Sequence, residues 1–167
     1  MVVVNAFKTD KIEYSTEEML LTLNSIREKI LAMPEGAARI TRLSAHFFMQ
    51  RDLRRILGVT RLPDYLYTAS GRPYLKGVHF SLSHTDGAAA YVISDKNCAV
   101  DIEPLTRRFS PALMRRIGAE TDDPLSIWCK KECLAKLTGG SVLGQNPDNG
   151  NFQQFDLSGY LCLYIIK

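Results

Sequence analysis

Long hydrophobic runs are missing from this chain of 167 residues. No apolar stretch approaches the roughly 20 residues that cross a bilayer, so no transmembrane helix is expected. A strong charge of one sign is missing too, since 21 Lys and Arg against 18 Asp and Glu leave a net +3. That balance falls short of a nucleic-acid footprint and suits an anionic small molecule or an acidic partner. Cysteine is limited to Cys98, Cys129, Cys133 and Cys162. With no C-x-x-C pair among them, a disulfide scaffold is not expected; free thiols in a reducing cytoplasm are. No internal repeat, low-complexity tract or linker stands out. The apolar start, Met1 to Phe7, lacks a basic leader and runs into Lys8, Asp10 and Lys11. It reads as a first β-strand and not as a signal peptide. What remains, 46% hydrophobic and 23% charged residues, is ordinary for a folded chain. The length fits one domain, or two small halves sharing a core.

Periodicity and punctuation give the order of elements. Ser15-Thr16-Glu17-Glu18 offers an N-cap and acidic first turn. Met19, Leu20, Leu23, Ile26, Ile30 and Leu31 then predict one helix, stopped at Met33-Pro34. A second helix is expected from about Glu35 to Leu57, capped by Gly58. Its apolar stripe is Ile40, Leu43, Phe47, Leu53 and Leu57; Arg39, Arg42, Arg51, Arg54 and Arg55 occupy the other face. Leu66 to Ala69 reads as a short strand and Gly71-Arg72-Pro73-Tyr74-Leu75 as a loop. Val78 to Ser83 alternates as a strand, with a turn over His84-Thr85-Asp86-Gly87. Ala88 to Ser94 and Cys98 to Ile102 form a hairpin around Asp95-Lys96-Asn97. Helices are expected at Pro111 to Ile117 and from about Pro124 to Leu137, each opened by a proline. A Gly/Asn-rich loop over 141–154 leads to a final hairpin, Phe155 to Lys167, turning at Ser158-Gly159. The class is α+β, with helices packed on small antiparallel sheets.

Candidate chemistry sits on four of these pieces. On a strand, Asp101 and Glu103 share one face while Val100 and Ile102 take the other. Two adjacent carboxylates repel and need a cation or a shared proton, unless they sit in water at a solvated strand end. A hard divalent ion such as Mg²⁺ meets that need. On the helix, Trp128, Glu132 and Lys136 share a face. The pair is either an i,i+4 ion pair beside a core tryptophan, or a third metal ligand or base with a phosphate-holding lysine. Ser83-His84 at a strand end can offer donors to an anion or can stabilise a turn. Gly71-Arg72-Pro73 is either a plain surface turn or a place where Arg72 forks onto a phosphate.

Taken in order, Gly71-Arg72-Pro73, Phe80-Ser81-Leu82-Ser83-His84-Thr85, Val100-Asp101-Ile102-Glu103 and Trp128-x-x-Lys131-Glu132-Cys133-x-x-Lys136 resemble the 4′-phosphopantetheinyl transferase superfamily. They are similar to its G-[KR]-P, [FW]-x-[IL]-S-H-[ST], x-D-x-E and W-x-x-K-E-[AS]-x-x-K signatures. The arginine-rich helix before Leu57-Gly58, carrying Arg42 and Arg51, more loosely resembles the surfactin-synthetase-activating type. The resemblance implies a fold of two small pseudo-related halves, about 1–97 and 98–167. It implies transfer of phosphopantetheine from coenzyme A to a serine of an apo acyl or peptidyl carrier protein, serving fatty-acid, polyketide or peptide synthesis. Asp101, Glu103 and Glu132 would coordinate Mg²⁺, with Mn²⁺ as a substitute. Glu132 and Lys136 would be catalytic, and Glu132 would be base, ligand or both. Arg72, Pro73, Ser83, His84, Lys131, Lys136 and Arg42 would bind coenzyme A. Cys133 replaces the family's small alanine or serine, and the stretch after Lys136 is shorter than in pseudo-dimeric members.

Arg107, Arg108, Arg115 and Arg116 offer a docking face for the acidic helix of a carrier protein, or a solvated helix surface. Two other classes compete: a non-catalytic coenzyme A or nucleotide-binding module, and a nucleic-acid binder using the arginines between Arg39 and Arg55.

Overall fold

A computed structural model describes residues 1–119 and 123–167. The elements are β1 (Val2–Lys8), α1 (Thr16–Leu21), α2 (Ile26–Leu31), α3 (Ala37–Leu57), β2 (Leu66–Tyr67), β3 (Pro73–Tyr74), β4 (His79–Thr85) and β5 (Ala88–Ser94). They continue with β6 (Cys98–Pro104), α4 (Pro111–Ile117), α5 (Pro124–Thr138), β7 (Gln153–Leu157) and β8 (Tyr160–Ile166). The fold is α+β, as the residue pattern predicts.

Local chemistry explains most boundaries. Ser15 and Glu18 form a reciprocal cap at α1: the Glu18 N–H donates to Ser15 Oγ at 3.2 Å and the Ser15 N–H to Glu18 Oε2 at 2.7 Å. The single helix expected up to Met33 is instead two. Thr22 Oγ1 donates back to the Met19 carbonyl at 3.0 Å, and Asn24 Oδ1 accepts from the Ile26 N–H at 3.2 Å. Such side-chain contacts give the backbone a non-helical alternative. Asn24 is then held by Gln50 of α3, whose Nε2 donates to Asn24 Oδ1 and to Tyr65 Oη, both at 2.7 Å. Gln50 is fully buried, so Gln50→Leu strands several of these partners. It should cost about 2–3 kcal/mol, read as a lower midpoint in urea unfolding.

α3 ends where predicted, with Gly58 in the left-handed region at φ 64°. Leu43, Phe47 and Leu53 are buried, but Ile40 is exposed. Residues 34–38 are exposed as well, so the first turn of α3 stands clear of the core. His84 lies on β4, paired with Ala89, and not in the turn; the bend is confined to Asp86-Gly87.

Two sheets carry the fold. The first has strand order β1-β5-β4 and the second β6-β8-β7, all antiparallel. In chain order each unit runs strand, helices, hairpin, and in each the last strand lies in the middle. The units meet at the Asp95–Asn97 turn. Alternation sorts their faces: Tyr91 and Ile93 of β5 pack under α3 with Leu43, Phe47 and Leu53. Ala88, Ala90 and Val92 face Cys98, Val100, Ile102 and Cys162 of the second sheet. On its far side, Ala99 and Ile165 pack on Cys133 and Leu134 of α5.

β4 and β6 run side by side where the sheets join. The Val100 N–H donates to Ser81 Oγ across that seam at 3.3 Å. At the other junction, Val4 and Ala6 of β1 and Phe155 and Leu157 of β7 pack on one cluster. Beside it is a cleft of about 390 Å³ lined by Phe7, Lys8, Lys11, Leu157 and Ser158.

Candidate active site

Strand alternation on β6 sends Val100 and Ile102 into the core between the sheets and turns Asp101 and Glu103 toward α5. Both carboxylates are buried, at 4% and 8% exposure, so the solvated strand end is not what forms. Lys136 Nζ donates to Asp101 Oδ1 at 2.8 Å, to Ser83 Oγ at 3.1 Å and to the Val100 carbonyl at 2.9 Å. Ser83 Oγ in turn donates to Asp101 Oδ1 at 2.8 Å. Glu103 Oε1 accepts from Trp128 Nε1 at 3.0 Å and pairs with Arg107. β4, β6 and α5 therefore bring together Ser83, Asp101, Glu103, Trp128 and Lys136, which are spread over more than 50 positions of the chain.

Glu132 belongs to this cluster through its field. Burial pushes its carboxyl above the ordinary range, and the Asp101 charge adds to that; Lys136 pulls the other way, and Glu103 again raises it. Its alternative role as an i,i+4 partner of Lys136 is not realised, because Lys136 pairs with Asp101. Burial alone would pull the Lys136 ammonium down, but Asp101 outweighs it and the net shift is upward.

Among the described residues, no three His, Cys, Asp or Glu side chains stand gathered as a ready metal group. Protein cations hold two of the acids: Lys136 on Asp101 and Arg107 on Glu103. The donor set nevertheless fits a hard divalent ion such as Mg²⁺ or Mn²⁺. Asp101 Oδ2 is buried with no hydrogen-bond partner, and three mutually repelling carboxylates are an oxygen set such an ion stabilises.

Beside Lys136 lies a cleft of about 410 Å³, walled by Arg42 and His46 of α3, Leu82 of β4, Pro73, Lys136 of α5 and Gly139 just after it. Gly139 ends α5 at φ 72°, and a Cβ there would come within 2.5 Å of Ser70 Cβ. Only glycine lets α5 approach the 70–73 loop this closely. Arg42 is half-buried and makes no ion pair among the described residues, so its charge is available to a ligand. His84 sits near it; burial, then the Arg42 and Lys136 charges, hold its imidazole below the usual value.

Arg72 lines this cleft too, but its guanidinium has protein partners. Arg72 donates to Asn97 Oδ1 at 2.5 Å and to the Phe80 carbonyl at 3.4 Å, and also bonds the Cys98 carbonyl. Its fork is spent on pinning the loop to β4 and β6. Lys131 is buried at 6% exposure and bonds the Gln145 carbonyl, outside the acidic cluster. Arg107 is part of the cluster and not of an open docking face; Arg108, Arg115 and Arg116 are exposed. The arginine face of α3 is largely engaged locally: Arg39 with Glu35 at 3.7 Å, Arg55 with Asp52 at 3.6 Å, and Arg54 on the Thr22 carbonyl at 2.8 Å.

His46 is the residue that sequence reading passed over, although it lies one helical turn after Arg42. It is 7% exposed with Nδ1 unpartnered. Burial, then the charges of Arg42 and His84, push it down to about 3. The unfolded chain thus binds a proton at this residue below its ordinary 6.5 while the folded chain does not. That stability is complete above pH 6.5 and is lost as pH falls toward 3. The loss should approach about 1.4 kcal/mol per pH unit in that window. His46→Gln should flatten the acid limb of a pH series of urea unfolding midpoints.

All four cysteines are free and buried, and burial pushes Cys98 up to about 11 and Cys162 up to about 12. They pack and do not react at neutral pH. No protein-family model matches the chain, and the search of curated proteins returned no match.

Proposed function

We propose that the chain transfers the 4′-phosphopantetheine group of coenzyme A to a serine of an apo acyl or peptidyl carrier protein, releasing 3′,5′-ADP in a Mg²⁺-dependent reaction. The observation that carries this reading is the burial of Asp101 and Glu103 together, with Lys136 on Asp101, beside a cleft that Lys136 and Arg42 both line. Two like-ordered units support a transferase-like fold of paired halves. Buried free thiols suit a cytoplasmic setting.

Asp101, Glu103 and Glu132 are the residues that would hold the metal, which when bound supplies positive charge against the pyrophosphate. The chain's own groups do the rest. Lys136 stays charged at neutral pH and offsets the negative charge that develops as the bond from phosphorus to 3′,5′-ADP breaks. The carrier serine oxygen forms the new bond to that phosphorus. Its proton goes to Glu132, the acid of the three that no Lys or Arg holds among the described residues. Arg42 and His84 suit further phosphate oxygens, while Pro73 and the Arg72-pinned loop border the adenosine end. Ser83 holds Asp101 and Lys136 in register. Arg108, Arg115 and Arg116 are exposed and would steer an acidic carrier helix.

One observation favours a non-catalytic coenzyme A-binding module: protein cations already hold Asp101 and Glu103. Intact mass spectrometry of an apo carrier panel incubated with coenzyme A, with and without Mg²⁺, separates the two. A gain of one phosphopantetheine only with metal supports the transferase. Coenzyme A binding with no carrier modified in any arm overturns it in favour of the module.

A further inference from the structure

Of the two protein cations in the acidic cluster, one is anchored and one is removable. Lys136 is tied down by Asp101, Ser83 and the Val100 carbonyl together. The Arg107 guanidinium has Glu103 as its polar partner and otherwise lies against two rings, 4.6 Å from the Trp128 centroid and 5.1 Å from that of Phe109. About 30% of its side chain is exposed, so it can swing outward without opening the core. Glu103 Oε1, the atom it holds, also accepts from Trp128 Nε1 at 3.0 Å. Three carboxylates against Lys136 alone would leave two negative charges uncompensated in a poorly solvated site, a costly arrangement. Arg107 reduces that to one.

We propose that Arg107 is a built-in competitor of the divalent ion, occupying Glu103 while no metal is bound and giving way to it when the metal arrives. The inference rests on the metal-binding role of Asp101, Glu103 and Glu132. It makes Arg107 a residue that sets the affinity of the site for its ion. Charge explains the exchange: a divalent cation and a guanidinium pressed onto the same carboxylate repel each other. Geometry supplies a reporter, because Arg107 covers the face of the chain's single tryptophan, and its departure changes the surroundings of that indole.

The test titrates the full chain with Mn²⁺, with and without coenzyme A, following free Mn²⁺ by electron paramagnetic resonance and Trp128 emission in parallel. Arg107→Gln should bind Mn²⁺ about tenfold more tightly, the scale of one lost charge-pair competition. Wild-type emission should shift on saturation, while Arg107→Gln should start near the saturated position and move little. Arg107→Lys, which keeps the charge, should stay close to wild-type affinity; it also serves as the readout should the glutamine variant melt early. Unchanged or weaker Mn²⁺ binding in Arg107→Gln, with wild type still binding, overturns the competitor role and leaves the metal site standing. No Mn²⁺ binding by either protein in either condition overturns both.

Discussion

On the proposed function, Asp101→Asn is expected to lower phosphopantetheine transfer about 10³-fold, since it removes a carboxylate proposed to hold the metal and the partner of Lys136 in one change. It should also destabilise the fold. Asp101 and Lys136 pair at 2.8 Å, and leaving the lysine opposite a neutral amide strands a charge in a mostly buried place, at a cost of about 3 kcal/mol. Lys136→Met alone should cost a similar amount for the mirror-image reason. The double variant should regain most of the melting temperature and none of the activity. Thermal melts and transfer rates on the four proteins form a cycle that separates the two roles. A double variant no more stable than either single one would mean that the pair is not the contact holding the seam.

Glu132→Gln is the cleaner probe of chemistry. Glu132 makes no ion pair among the described residues, so the isosteric amide removes reactivity and little structure. Transfer should fall about 10²- to 10³-fold. Stability should move in the opposite sense. The folded chain holds the Glu132 proton more tightly than the unfolded chain, whose group titrates near 4.5. The resulting penalty is absent below that value, grows as pH rises above it, and levels off once pH has passed the raised folded value. Glu132→Gln should therefore melt slightly higher than wild type at pH 7 and no higher at pH 4. A variant that lost activity and melting temperature together at neutral pH would make Glu132 a structural residue.

The sequence-level reading worked best where one residue fixes its own neighbourhood. Proline at 111 and 124 and glycine at 58 mark helix ends regardless of what lies opposite. Asp101 and Glu103 sorted correctly because alternation on a strand is a local rule. The reading failed where a distant partner decides. The split between α1 and α2 depends on Asn24 meeting Gln50, 26 positions away. Lys131 carries a side chain long enough to reach either cleft or carbonyl, and spacing does not say which. Arg107 looked like surface because its claim on Glu103 depends on Trp128 arriving from α5. His46 showed only as a polar residue one turn from Arg42 and from Gln50 on α3, and its burial at the cleft wall comes from the packing of α3 on the first sheet.

An arrangement of two like units has two like junctions. At one, β4 of the first unit lies beside β6 of the second, and there the acids, Lys136 and Ser83 gather. Exchanging the units' roles leads to the side where β1 and β7 pack on a common cluster, and the smaller cleft there offers Lys8 and Lys11 and no acidic side chain along its lining. The repeated architecture is thus furnished on one side only. The proposed coenzyme A site has no like-furnished counterpart at that second cleft, so coenzyme A is expected to saturate at one equivalent per chain.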